Sequence, residues 1–143
     1  MSEKGKVYAV IDTNVLVSSL FSTTDISNPA RVIGAVLNGA IIPLYNNEII
    51  EEYRDILSRD KFKFSTALID SLLSAFTEFG INTARKDAGD EIFPDEDDIV
   101  FYEVVLSVED AYLVTGNTKH FPIRTFIVTP AQMVDILREK ALL

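Results

Sequence analysis

At 143 residues with 48% hydrophobic content, the chain carries enough apolar side chain for one core, and a single domain over residues 1–143 is expected. It has no cysteine and one histidine, which excludes disulfide scaffolds, thiolate zinc sites, cysteine nucleophiles and multi-histidine metal sites. A formal net charge of −9 argues at first against a nucleic-acid partner, because phosphate binding normally needs a positive field. The start, Met1-Ser2-Glu3-Lys4-Gly5-Lys6, has the positive flank of a signal peptide. Asp12 and Asn14 interrupt the apolar stretch behind it, however, and no clean cleavage site follows, so a soluble cytoplasmic protein without a membrane partner is expected.

Val7 to Ile11 is a β-branched and aromatic run too short for a membrane span and predicts a buried strand, while the apolar-rich stretch from Val15 to Phe21 predicts a helix. Asp12 falls at the junction. In open parallel sheets the crevice beyond the strand carboxyl ends binds ligands, although Asp12 or Thr13 there could equally do no more than cap the helix. Asn28-Pro29 opens a second helix, Ala30 to Leu37, which stops at Asn38-Gly39 where glycine can turn left-handed. Ile41 to Tyr45 predicts a strand, and Asn46-Asn47 a cap for a helix from Glu48 to Leu57. The basic segment Ser58 to Phe64 follows. Leu68, Ile69, Leu72, Leu73, Phe76 and Phe79 recur at helical spacing up to Gly80. A weak strand is expected over Asn82 to Arg85. An acidic loop ends in Pro94-Asp95 and leads into a helix through Val105. Ala111 to Thr115 and Phe126 to Thr129 read as buried strands, and a last helix runs from Pro130 to Lys140. Strand alternating with helix predicts a mainly parallel sheet with right-handed crossovers and helices on both faces.

The charge is unevenly spread. Seven acids lie between Asp87 and Asp98, whereas Arg54, Arg59, Lys61 and Lys63 cluster elsewhere and Lys119, His120 and Arg124 lie near the end. Solvated loops and ordinary surface lysines would account for this, as would an acidic cleft flanked by basic patches suited to a metal ion and a polyanion together. In a parallel sheet, Asp12, the group Glu48, Glu51 and Glu52, the pair Asp95 and Asp98, and Asn117 all fall at strand C-termini or at the starts of the following helices, on one edge. Carboxylates gathered there repel one another unless cations neutralise them, and an all-oxygen set favours Mg²⁺ or Mn²⁺ over zinc. Taken singly, each acid also has a plain role at a helix start.

Taken in order, Ile-Asp-Thr-Asn-Val-Leu-Val-Ser (11–18), Ile-Ile-Glu-Glu-Tyr-Arg-Asp-Ile-Leu-Ser-Arg-Asp-Lys-Phe (49–62), Pro-Asp-Glu-Asp-Asp-Ile-Val-Phe (94–101), Tyr-Leu-Val-Thr-Gly-Asn-Thr-Lys-His-Phe (112–121) and Ile-Val-Thr-Pro (127–130) resemble the PIN-domain proteins. More narrowly, they resemble the bacterial branch described as toxins of toxin–antitoxin systems, the VapC-like ribonucleases. The resemblance implies a Rossmann-like α/β/α sandwich with a mainly parallel sheet of about five strands, and metal-dependent cleavage of single-stranded RNA that leaves a 5′-phosphate and a 3′-hydroxyl, with one or two Mg²⁺ or Mn²⁺ ions, a homodimer and an antitoxin partner. It matches Asp12, Glu52 and Asp98 to the metal-binding and catalytic acids, with Asp95 as an auxiliary metal ligand and Asn14 and Thr115 in support. Arg54, Arg59, Lys61, Lys63 and Lys119 are the candidate RNA contacts. At the fourth acid position the chain departs from the family by carrying Asn117, an amide that offers an oxygen but no charge. His120 is read as a surface or phosphate-contacting residue, because the sequence gives its ring no orienting partner.

Two rival readings stay open. A haloacid-dehalogenase-type phosphatase also places Asp after the first strand, but it wants a second Asp where this chain has Asn14. A catalytically weak or inactive RNA- or protein-binding module on the same fold is the other, motivated by Asn117 and the net charge.

Overall fold

The computed structural model describes residues 5–143; the leader-like flank Met1 to Lys4 lies outside the described residues. The apolar runs form five strands, β1 (Val7–Ile11), β2 (Ile41–Tyr45), β3 (Ile81–Asn82), β4 (Tyr112–Val114) and β5 (Ile127–Val128). All pair in parallel in the order β3-β2-β1-β4-β5. The sheet therefore grows in one direction from β1 and then in the other from β4, and the switch between those two neighbours opens a crevice at their carboxyl ends. Register is tight there, with Ile11 opposite Val114 and the Asp12 amide donating to the Val114 carbonyl at 2.9 Å.

Six helices connect the strands: α1 (Thr13–Phe21), α2 (Asn28–Leu37), α3 (Asn47–Leu57), α4 (Thr66–Phe79), α5 (Ile99–Leu106) and α6 (Pro130–Glu139). The sequence places their starts through side chains. Ser27, Asn46, Ser65 and Thr129 each accept a hydrogen bond from the backbone three residues on, and Thr129 with Gln132 forms a full capping box. Helix α2 packs on β2 and α6, whereas α5 lies across β1, β2 and β4, and right-handed crossovers put these two groups on opposite faces. Ala9, Val10 and Ile11 of β1 are consequently fully buried, as a central parallel strand covered on both sides requires. Among the described residues, no helix is long and apolar enough to cross a membrane.

The weak strand expected over Asn82 to Arg85 is displaced to Ile81–Asn82. Thr83 still donates its amide to Tyr45, but the next groups are claimed by α5: Ser107 Oγ donates to the Ala84 carbonyl at 2.7 Å and the Lys86 amide to the Glu103 carbonyl at 2.9 Å. The chain therefore leaves the sheet. Strands β4 and β5 are shorter than the apolar runs that encode them, and the helix after Pro94 begins as a single 3₁₀ turn, Glu96–Asp98, before α5.

Gly80 joins α4 to β3 in an extended conformation open to any residue, so space decides its identity. A Cβ there would stand 2.4 Å from the carbonyl oxygens of both Phe76 and Pro43. Gly80→Ala is expected to cost about 1–3 kcal/mol, as overpacking does, in a urea unfolding measurement.

Candidate metal centre

Asp12 continues β1 with extended backbone and is 6% exposed. Its Oδ1 accepts the Thr13 amide at 2.8 Å, and its Oδ2 accepts Thr115 Oγ1 at 2.7 Å and Asn14 Nδ2 at 3.1 Å. A helix cap normally takes the amide two or three residues into the helix, whereas this carboxylate takes only its immediate neighbour. Capping α1 therefore does not account for it. Burial pushes the Asp12 carboxyl above the ordinary aspartate range despite the bonds from Thr115, Thr13 and Asn14 and the nearby His120 ring. Asn14 braces the same corner, since its Oδ1 accepts the Gly116 amide at 3.0 Å. A Cβ on Gly116 would approach that oxygen to 3.3 Å.

Asp98 comes from the 3₁₀ turn that leads into α5, and its side chain is 13% exposed. Its carboxyl is pushed up to about 6, first by burial and then by the charges of Asp12 and Asp95, while His120 pulls it back. The charge of Asp12 thus reaches Asp98, which comes from a different element. His120 corrects the sequence expectation, because its ring has two partners: Nδ1 lies 3.1 Å from Asp98 Oδ2 and Nε2 lies 2.9 Å from Asn117 Nδ2. The signal was present in the spacing. Residues three apart eclipse on a 3₁₀ turn, and Thr118–His120 is such a turn with Asn117 at its start.

The acids of α3 separate. Tyr53 is fully buried, packs on Phe76 and Phe101, and donates its hydroxyl to the Ile11 carbonyl, which pins α3 over the end of β1. Burial and then the charge of Asp12 push its phenol well above the usual range. Glu52, the preceding residue, is half-buried; its carboxyl is raised by burial, then by Asp97 and Asp55, with Arg59 opposing and Asp95 adding to the rise. Glu48 is occupied, since Arg85 binds it at 2.7 Å and Glu103 at 2.7 Å. Glu51 is exposed. Glu48, Glu52, Arg85, Glu96, Asp97 and Val100 line a small cleft.

Among the described residues, no three acidic or histidine side chains stand close enough to form a complete ion cage. The donors nevertheless fit a hard divalent cation. Asp12 and Asp98 would offer carboxylate oxygens whose charge burial leaves undercompensated, and Mg²⁺ commonly uses one or two carboxylates while keeping several waters.

The basic residues are dispersed. Arg54 is paired with Asp70 at 2.7 Å, Arg59 lies 4.0 Å from Asp55, and Lys61 sits 5.1 Å from the centre of the Phe62 ring. Lys63 is exposed with a left-handed backbone (φ 58), and exposed Lys119 shares the turn that carries His120.

Because the Asp98 carboxyl is raised from 3.8 to about 6, its protonation favours the folded state: that stability is fully present below 3.8 and is lost as pH rises through about 6. The metal-free melting temperature should therefore fall across this window. Mn²⁺ should restore it at pH 7.5 and have little effect at pH 5, where protons hold the ligand. Thermal melts against pH, with and without Mn²⁺, check this.

The family model for the PIN domain matches residues 8–119. No curated protein matches the chain.

Proposed function

The chain belongs to the PIN-domain family, and from that premise we propose that it is a Mg²⁺- or Mn²⁺-dependent endoribonuclease that cuts single-stranded RNA as the toxin of a toxin–antitoxin pair. PIN domains are generally metal-dependent nucleases. The observation that carries the reading is the buried Asp12 carboxylate at the β1/β4 switch, whose charge also raises the Asp98 carboxyl. The toxin reading draws on the motif resemblance and brings with it two partners, a cognate antitoxin protein and a second copy of the chain.

In this reading Asp12 and Asp98 hold the ion, with Glu52 approaching from α3 and Asp95 alongside. The chemistry that such an ion supplies is a coordinated water of lowered pKa and neutralisation of charge at the phosphate. The protein's own part is orientation. Thr115, Thr13 and Asn14 fix the Asp12 carboxylate, leaving capacity on Oδ1, and Tyr53 holds α3 over the end of β1. Arg59, near Glu52, and Lys119, on the turn of His120, would steer the phosphate backbone in a protein whose overall charge would otherwise repel it.

Asp12→Asn is expected to lower cleavage of a single-stranded RNA by more than about a hundredfold, since even residues that only support a ligand cost up to that much. Its melting temperature should equal or exceed wild type, because the substitution removes an undercompensated buried charge. Wild-type-like cleavage by this variant rejects the assignment. RNA binding without cleavage in either protein favours the binding-module reading.

The glutamates should separate in the same way. Glu52→Gln is expected to weaken Mn²⁺ binding in a calorimetric titration. Glu48→Gln should leave that affinity unchanged and cost no more than about 1 kcal/mol of stability, because it gives up only an exposed ion pair with Arg85.

A further inference from the structure

An unbroken hydrogen-bonded arc joins the two coupled carboxylates. Thr115 Oγ1 donates to Asp12 Oδ2 at 2.7 Å, the Asn117 amide donates to Thr115 Oγ1 at 3.0 Å, Asn117 Nδ2 meets His120 Nε2 at 2.9 Å, and His120 Nδ1 meets Asp98 Oδ2 at 3.1 Å. It runs from the end of β1 through the end of β4 and the Thr118–His120 turn to the start of α5. Sequence motifs supply its members separately; only the fold closes them into one path.

The direction of each bond is fixed by its neighbours. Asp98 at neutral pH accepts and does not donate, so Nδ1 must carry a proton. The Asn117 amide nitrogen can only donate, so Nε2 must present its lone pair. One neutral tautomer, with the proton on Nδ1, satisfies both contacts. With the proton on Nε2 instead, two donors would face each other at Asn117 and two acceptors at Asp98.

We propose that Asn117 and His120 form one positioning unit that sets the placement of the Asp98 carboxylate relative to Asp12, and that Asn117 is a strut in this unit instead of an ion ligand. The proposal rests on the metal-centre reading for its purpose, though not for its geometry. It gives the departure from the family pattern a physical reason. A carboxylate at 117 would turn an acceptor toward the Nε2 lone pair, so the amide is the group that this histidine requires. Hydrogen-bonded supports of this kind orient metal-binding side chains, and their loss weakens ion binding without removing a ligand.

The chain's single histidine allows a direct test, because its imidazole nitrogens are identified in ¹⁵N NMR without ambiguity. In the metal-free protein at pH 8 the ring should be the Nδ1–H tautomer, opposite to the form favoured by free histidine in water. Asn117→Ala should relax it toward Nε2–H. By Mn²⁺ titration, His120→Ala and Asn117→Ala should each weaken affinity about tenfold to a hundredfold, and the double variant no further than either alone. An Nε2–H tautomer or a persistent imidazolium in the wild-type protein overturns the proposal. So does a His120→Ala variant that binds Mn²⁺ normally while Asn117→Ala does not, which would make Asn117 a ligand. Failure to cleave RNA with the Nδ1–H tautomer intact would remove the nuclease reading and leave the positioning unit standing.

Discussion

One buried carboxylate governs this molecule. Asp12 is held at the β1/β4 switch by three donors, yet burial still raises its carboxyl above the ordinary range. A charge removed from water and incompletely compensated is costly unless a cation or a proton joins it. Much of the surrounding structure serves to hold it there: the Asp12 amide latched to Val114, Asn14 bridging to Gly116, Thr115 reaching across from β4, and Tyr53 tying α3 to the preceding carbonyl. Deforming any of these would relax the carboxylate toward water and remove the reason for an ion to bind.

The acidity of the chain is divided by the fold into compensated and uncompensated parts. Arg85 bridges Glu48 and Glu103, and Glu103 also accepts the Ala88 amide at 2.7 Å, so this group of acids is structural. It ties the stretch after β3 to α5. Arg124 binds Glu91 and anchors the acidic loop beside Phe121 and Phe93, whose rings meet edge to face. Asp12 and Asp98 have the His120 ring beside them instead of an arginine, and Glu52 has the approach of Arg59. The negative field is therefore concentrated at the carboxyl edge of the sheet, where a divalent ion would invert it locally and make a phosphate acceptable.

The dispersed basic residues suit that arrangement. Exposed pairs such as Arg54 with Asp70 contribute little stability and little net field. In the proposed reading, attraction of a polyanion would depend on an ion at the centre more than on a basic surface, which would reconcile a net charge of −9 with a nucleic-acid substrate.

Much of the fold was legible in the sequence because its signals are local. Apolar runs bounded by Asn-Gly, Asn-Asn and Pro gave the strands and helices, and capping side chains at Ser27, Asn46, Ser65 and Thr129 fixed where helices begin. The alternation of those elements implied the parallel sheet, and with it the edge on which Asp12 and Asp98 stand. What local signals could not carry was competition between distant groups. The third strand stops early because α5 takes its hydrogen bonds, and Glu48 is unavailable because Arg85, far along the chain, claims it. The partners of His120 belong to the same class: Asn117 lies within its own turn, but Asp98 is brought to it only when α5 and β4 pack together. Residue types and their spacing thus determined the elements and the candidate acids. Which acids remain uncompensated, and which side chains hold them apart, was decided by tertiary packing, because pairing and desolvation depend on distances that no single stretch of sequence contains.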